Sequence, residues 1–104
     1  MMQAMTRLDI GATIARAAPE LRAAGLAALY LFGSQARGDA GAESDIDFLF
    51  EVKDEADARF SIIDQAGLQI RLQDIFGRKV DLIERRGLRP RIREHVEAEM
   101  VRLL

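Results

Sequence analysis

The chain has 104 residues, 49% of them hydrophobic, with a formal net charge of −2 and no cysteine. That length and apolar content predict one domain over residues 1–104. The acidic balance argues against a dedicated binder of duplex nucleic acid, and the lack of cysteine excludes disulfides and thiolate metal sites.

The N-terminal part of the chain predicts a helix and then a strand. Apolar residues recur at helical spacing from about residue 5 to residue 24, where Gly25 would end the helix. The recurring residues are Ile10, Ile14, Ala17 and Leu21. Charged residues interrupt this stretch, so we expect neither a secretory signal nor a membrane span and predict a cytoplasmic location. The continuous apolar run 26–32 predicts a strand buried on both faces.

The rest of the chain predicts a short helix, two strands and two longer helices. Small residues over 33–43 indicate a turn, a short helix and a loop, while 45–52 and 79–84 predict strands. Ser61 and Asp64 resemble a capping box, which predicts a helix that ends at Gly77. A last helix would follow Pro90 and bury an apolar stripe, which consists of Ile92, Val96, Met100 and Leu103.

This order of elements predicts an α/β (α+β) fold, in which helices cover a small mixed β-sheet. The connection between the first two strands is neither a tight hairpin nor a long crossover. The sequence alone therefore leaves the directions of the strands open.

The first candidate site feature is Gly33-Ser34, at the end of the first strand. A glycine lets the backbone approach a phosphate closely, and Ser34 could cap the helical turn that follows. Free amides at that helix start favour an anion, and Arg37, about one turn further, could add a charged contact to it. Alone, such a pair is ordinary turn chemistry.

Three aspartates form the second candidate feature. Asp45 and Asp47 are predicted to lie about 7 Å apart on one face of a strand, where their oxygens could hold one or two Mg²⁺ ions. Asp81 interrupts an apolar strand, where a charge is costly unless it is paired or bound to a metal. The alternative for each aspartate is exposure to solvent.

The remaining polar residues favour structural interpretations. Tyr30 is expected in packing, and His95, the only histidine, at a solvated position. A basic cluster consists of Arg85, Arg86, Arg89, Arg91 and Arg93. It is interpreted as solvated surface, with contact to an acidic partner or RNA as the alternative.

Three segments of the chain resemble the motif of the minimal nucleotidyltransferases (MNT), in the DNA polymerase β superfamily. The segments are GSQARGDA at 33–40, SDIDF at 44–48 and GRKVDL at 77–82. The resemblance extends over most of the chain after Ala27 and implies the nucleotidyltransferase fold.

The resemblance also implies roles for single residues. Asp45 and Asp47 would bind the Mg²⁺ that accompanies the nucleotide and, with Asp81, a second, catalytic Mg²⁺. Gly33 and Ser34 would hold the triphosphate of the substrate, which is ATP by family expectation. The contact of Arg37 with a phosphate is an inference from spacing alone.

Short members of this family resemble antitoxins paired with a HEPN-domain ribonuclease toxin, which they silence by attaching AMP to a tyrosine. The resemblance therefore implies a protein adenylyltransferase that forms a hetero-oligomer with a cognate HEPN toxin. A chain this short has little room to grip an acceptor, which favours an acceptor that docks in trans. Two alternatives stay open: an antitoxin that acts by occlusion without catalysis, and transfer to a small-molecule hydroxyl.

Overall fold

The computed structural model describes residues 6–38, 44–54 and 59–104. The predicted loops around 39–43 and 55–58, and the start of the predicted first helix at residue 5, lie outside this part of the chain. In chain order, the described elements are α1 (Arg7–Ala23), β1 (Leu26–Phe32), α2 (Ser34–Arg37), β2 (Ile46–Val52), α3 (Ile62–Phe76), β3 (Val80–Glu84), a 3₁₀ turn (Arg85–Gly87), α4 (Pro90–Glu99) and β4 (Val101–Arg102).

The strands form one mixed sheet in the order β3-β2-β1-β4. β1 pairs antiparallel with β2 and β4, whereas β2 and β3 are parallel. A parallel pair needs a crossover connection, and α3 lies in that crossover. The predicted α/β class with a mixed sheet is confirmed. No helix in the described ranges is long and apolar enough to cross a membrane.

Alternating strand residues divide the apolar core between the two faces of the sheet. One face packs against α1 and α3, around side chains such as Leu31 and Phe48. The other face packs against α4 through Tyr30, Leu49 and Val96. Because β1 contributes to both clusters, the prediction of a strand buried on both faces is confirmed.

Local caps set the ends of the two long helices. Thr6 accepts from the amide of Asp9 at 3.1 Å, and Asp9 accepts from the amide of Thr6 at 3.0 Å. Ser61 and Asp64 make the same reciprocal pair, at 3.2 and 2.8 Å. At its other end α3 stops at Gly77, which has a left-handed φ of 66°. The predicted capping box and glycine cap of α3 are therefore confirmed.

The prediction for the last helix is wrong at its C-terminal end. α4 ends at Glu99, because Met100 has extended backbone angles of φ −69° and ψ 149°. The next two residues form β4 and pair with β1, which the sequence did not predict. Val96 is buried, but Ile92 is 50% exposed. Leu103 packs against the core on the other face of the sheet, so the four residues do not form one buried stripe.

Two glycines at α3 predict opposite effects of the same substitution. An added Cβ meets no atom within 4 Å at either Gly67 or Gly77. Gly77→Ala should lower the free energy of unfolding by about 1 kcal/mol, because alanine is strained at a left-handed φ. Gly67→Ala should raise it by up to about 1 kcal/mol, because alanine is the better residue inside a helix. Urea denaturation measures both, and shifts of the same sign would contradict this assignment.

Candidate active site

The end of β1 brings a glycine turn against an aspartate of β2. Phe32, the last residue of β1, lies opposite Asp47 in the antiparallel pair. Gly33 then adopts φ 75° and ψ −154°, a conformation that is open to glycine almost alone. A Cβ at Gly33 would lie 3.3 Å from Cγ of Asp47 and closer still to its Oδ2. Both the backbone angles and the available space therefore require glycine at this position.

Ser34 is the first residue of α2 and not its cap, so the predicted capping role is wrong. The N-cap is Gly33, and it makes no side-chain cap hydrogen bond. A capping side chain must come from the residue that precedes the first helical one. The turn itself is closed through the backbone, since the Arg37 amide donates to the Gly33 carbonyl at 3.1 Å. Ser34 therefore lies beside the Gly33 turn with its side chain unused as a cap.

Parallel pairing of β2 and β3 places two carboxyl groups side by side. Asp47 and Asp81 are register partners, so their side chains leave the same face of the sheet. They are close enough for a side-chain hydrogen bond, and both are partly buried. Burial, together with the charges of Asp81 and Asp45, raises the pKa of Asp47 from 3.8 to about 6, although Arg37 opposes the rise. Negative charge is thus concentrated beside the Gly33 turn.

Asp45 lies just before β2 and pairs with a lysine. Its Oδ2 is 3.7 Å from Nζ of Lys79, while its charge still reaches Asp47. Within the described ranges, no three His, Cys, Asp or Glu side chains converge closely enough to hold an ion. The arrangement is therefore a pair of carboxylates, Asp47 and Asp81, with a third aspartate beside it. Its carboxylate oxygens are ligands that divalent magnesium prefers, and a cation would relieve the repulsion, so the donor set fits such a metal.

Arg37, predicted to contact a phosphate, lies at the edge of this site and is tied to α4. Its Nη1 lies 3.2 Å from Oε1 of Glu99, and the two side chains are 46% and 23% exposed. The guanidinium is also near enough to lower the pKa of Asp47. Partly exposed ion pairs contribute about 0–1 kcal/mol, so an anionic ligand could replace Glu99 at little cost.

Sequence reasoning missed three residues beside the site. Gln35 is 2% exposed, and its Nε2 lies 3.5 Å from the carbonyl oxygen of Ser44, at the start of the segment that carries two of the aspartates. The other two are Lys79 and Glu99, the ion-pair partners described above. The position of Gln35 within a motif of small residues could have signalled it, since a buried amide needs a partner. The two charged residues carry no such local signal.

Much of the positive charge of the predicted basic cluster is neutralised by glutamates. The cluster lies on the face of the sheet that carries Asp47, at the end opposite to Asp47. Arg85 binds Glu51 at 2.6 Å and Glu97 at 3.2 Å, and its Nη1 donates to Oη of Tyr30 at 3.1 Å. Two more arginines of the cluster pair with glutamates, at 3.0 and 3.9 Å. The interpretation as solvated surface is therefore wrong for Arg85, which binds α4 to the sheet. The packing role predicted for Tyr30 is confirmed, since it is 6% exposed.

Comparisons with known proteins agree with this fold. The family model described as a nucleotidyltransferase domain matches residues 13–103. A solved structure of a minimal nucleotidyltransferase has a TM-score of 0.76 at 31% identity and covers 93% of this chain and 95% of that chain. A toxin–antitoxin structure with AMP-PNP has a TM-score of 0.72 at 25% identity, with coverage of 90% and 72%.

A more distant likeness concerns the fold alone. The structure of the tri-AMPylated HEPN toxin of Shewanella oneidensis in complex with MNT antitoxin contains a chain that matches at 22% identity. Its TM-score is 0.65, and the match covers 89% of this chain and 70% of that chain. No match was found among curated proteins.

The matched region contains the strands and the turn that build the site. β1, the Gly33 turn, β2 and β3 all fall within residues 13–103, and so do Asp47 and Asp81. The resemblance to minimal nucleotidyltransferases is thus confirmed on independent grounds. This chain belongs to the nucleotidyltransferase domain family.

Proposed function

We propose that this chain, acting as one domain in the cytoplasm, is a Mg²⁺-dependent enzyme that transfers AMP from ATP to a hydroxyl of a protein partner. The observation that carries the proposal is the contact between the Asp47 and Asp81 carboxyl groups beside the Gly33 turn. Two like charges held together in a partly buried place are unfavourable unless a proton or a cation lies between them. A divalent cation bound to a triphosphate meets that requirement.

Each site residue has a part in the proposed reaction. The acceptor oxygen forms a bond to the α-phosphorus of ATP, the bond from that phosphorus to the bridging oxygen breaks, and pyrophosphate leaves. Asp81 would take the proton of the hydroxyl, and Gly33 and Ser34 would hold the triphosphate. Asp45 and Asp47 would anchor the nucleotide through its metal. When bound, two magnesium ions would supply positive charge to the attacking and leaving oxygens.

Two existing ion pairs would exchange partners when the nucleotide binds. Lys79 now faces Asp45, and Glu99 now faces Arg37. A metal at Asp45 would release Lys79, and a phosphate at Arg37 would release Glu99. Both pairs are partly exposed, so each release costs about 1 kcal/mol or less. The site can therefore change from internal pairing to nucleotide binding without a change of fold.

The surface next to Asp81 favours a protein acceptor over a small molecule. Ile83 lies two residues further along β3, on the same face, and is 38% exposed. Its position is about 7 Å from that of Asp81, a distance that a tyrosine ring could span while its hydroxyl reaches the carboxylate. The related toxin–antitoxin structure with AMP-PNP, an analogue of ATP, supports a protein partner and an adenine nucleotide. We take the acceptor to be a tyrosine of a cognate HEPN-domain ribonuclease toxin.

The acceptor can be tested with the protein encoded by the neighbouring gene. Incubation of that protein with ATP, Mg²⁺ and this chain should add AMP to one of its tyrosines, as measured by mass spectrometry. Asp81→Asn keeps the size of the side chain and should give no mass gain. If the Asp81→Asn chain still neutralised the toxin fully, the antitoxin would act by occlusion. Modification of a small-molecule hydroxyl alone would contradict the protein acceptor.

Asp47→Asn should abolish nucleotide transfer and also stabilise the metal-free protein. The folded state holds the carboxyl proton up to about pH 6, whereas the ordinary pKa is 3.8. Stability is therefore lost as the pH rises between these values, since the unfolded chain releases the proton first. At about pH 7.5 without metal, Asn should raise the free energy of unfolding by an amount on the order of 1 kcal/mol, allowing for screening by water.

Thermal denaturation at two pH values checks this prediction. The gain from Asp47→Asn should shrink towards pH 4, where wild-type Asp47 is protonated in the folded state. Asp74→Asn, on the exposed surface of α3, is the matched control and should show no such gain. Full transfer activity in Asp47→Asn, or a loss of stability at neutral pH, would remove Asp47 from the proposed site.

The two glycines that flank α2 offer a matched test of the turn. Gly33 and Gly38 both have a positive φ, at 75° and 81°. A Cβ would meet Asp47 at Gly33, but it meets no atom within 4 Å at Gly38. Gly33→Ala should therefore lower transfer by about 100-fold by displacing the reacting groups, whereas Gly38→Ala should lower mainly stability. Equal activities of the two variants below their unfolding temperatures would contradict this role of Gly33.

A further inference from the structure

Three glutamines of α3 line the outer edge of β3. Gln65, Gln69 and Gln73 follow one another at intervals of four residues, so they share one face of the helix. β3 is the edge strand of the described sheet on that side, since the strand order begins with β3. Backbone N–H and C=O groups on the outer side of an edge strand have no neighbouring strand to pair with.

The glutamine side chains bind those outer backbone groups. Gln69 Nε2 donates to the carbonyl of Val80 at 2.9 Å, and the amide of Val80 donates to Oε1 of Gln73 at 3.2 Å. Gln65 Nε2 donates to the carbonyl of Leu82 at 3.0 Å. The three amides therefore take the place of a second neighbouring strand along β3.

These contacts bracket Asp81. Val80 precedes it and Leu82 follows it, and both are held from the side of α3. Backbone groups alternate in direction along a strand, so those of Asp81 point to β2, where its register partner is Asp47. The segment that carries Asp81 is thus fixed from both sides.

We propose that Gln65, Gln69 and Gln73 are positioning residues that hold the Asp81 carboxylate at the metal site. Asp81 faces the like charge of Asp47, and a strand at the edge of a sheet could relieve that repulsion by moving outwards. The glutamine amides oppose such a movement without adding a charge, so they do not compete with the metal. This inference rests on the proposed function, because it assigns the glutamines to the same site.

Removal of one or two of these three amides provides the test. Gln69→Met and the double variant Gln69→Met, Gln73→Met keep the length of the side chains and lose the hydrogen bonds. Mn²⁺ alone is the probe, and its binding is measured by water-proton relaxation at a temperature where every variant is folded. The expected result is a loss of Mn²⁺ affinity of roughly tenfold, the usual effect of removing a group that supports a metal ligand. Faster hydrogen exchange at Val80, whose amide donates to Gln73, should accompany it in the double variant.

Arg71→Met is the matched control on the same helix. Arg71 binds Glu20 of α1 at 2.8 Å, so this variant also loses a contact of α3 but leaves β3 untouched. It should keep the wild-type affinity for Mn²⁺. Gln variants that are less stable but bind Mn²⁺ as tightly as wild type would overturn the proposal, because the glutamines would then only protect the edge of the sheet. If the double variant does not fold, the Mn²⁺ affinity of the single Gln69→Met variant decides between these outcomes.

Failure of this inference can be separated from failure of the proposed function. If the wild-type chain binds no Mn²⁺ and transfers no nucleotide, the proposed function fails, and the glutamines have no metal site to support. If wild type binds Mn²⁺ and transfers nucleotide while the Gln69→Met variants match it in both, only the positioning role fails.

Discussion

The contact between Asp47 and Asp81 is unfavourable by itself, and the surrounding structure keeps it in place. β2 and β3 are parallel and in register, which fixes the two Cα atoms side by side. The apolar core on the opposite face of the sheet makes that register rigid, because a slip of one residue would turn every buried side chain of β3 outwards. Nearby positive charge on Arg37 lowers the electrostatic cost but does not remove it. A cation between the two carboxylates would remove the remaining repulsion.

α4 forms ion pairs with arginines near both ends of the sheet face on which this site lies. In its last turn, Glu97 binds Arg85, which also binds Glu51 of β2. At its last residue, Glu99 binds Arg37 beside the carboxylates. A change of partner at Arg37 would therefore affect a helix whose last turn Arg85 also binds to the sheet. On the same face of β3, Asp81 is only partly buried and Ile83 is 38% exposed.

Local patterns were enough to predict most of the fold. Helix and strand periods, the Ser61 capping box and the Gly77 cap depend on neighbours in sequence, and all of them are present. The end of α4 was not predictable, because Met100 continues the apolar helical spacing. The helix ends before Met100 where β4 pairs with β1, a contact between residues far apart in the sequence. The pairing of Asp47 with Asp81 depends on the parallel direction of two strands, which no local pattern encodes. Ion pairs such as Arg37 with Glu99, 62 residues apart, are equally invisible in the sequence.

Neither edge of the described sheet offers a long row of open backbone groups. On one side side-chain amides already occupy β3, and on the other side β4 has only two residues. A peptide that docked by adding a strand would find little to pair with at either margin. Recognition of another protein would then depend on side chains that project from the sheet face and the helices. Such an interface can diversify by single substitutions, since specificity would reside in residues that the backbone architecture does not need.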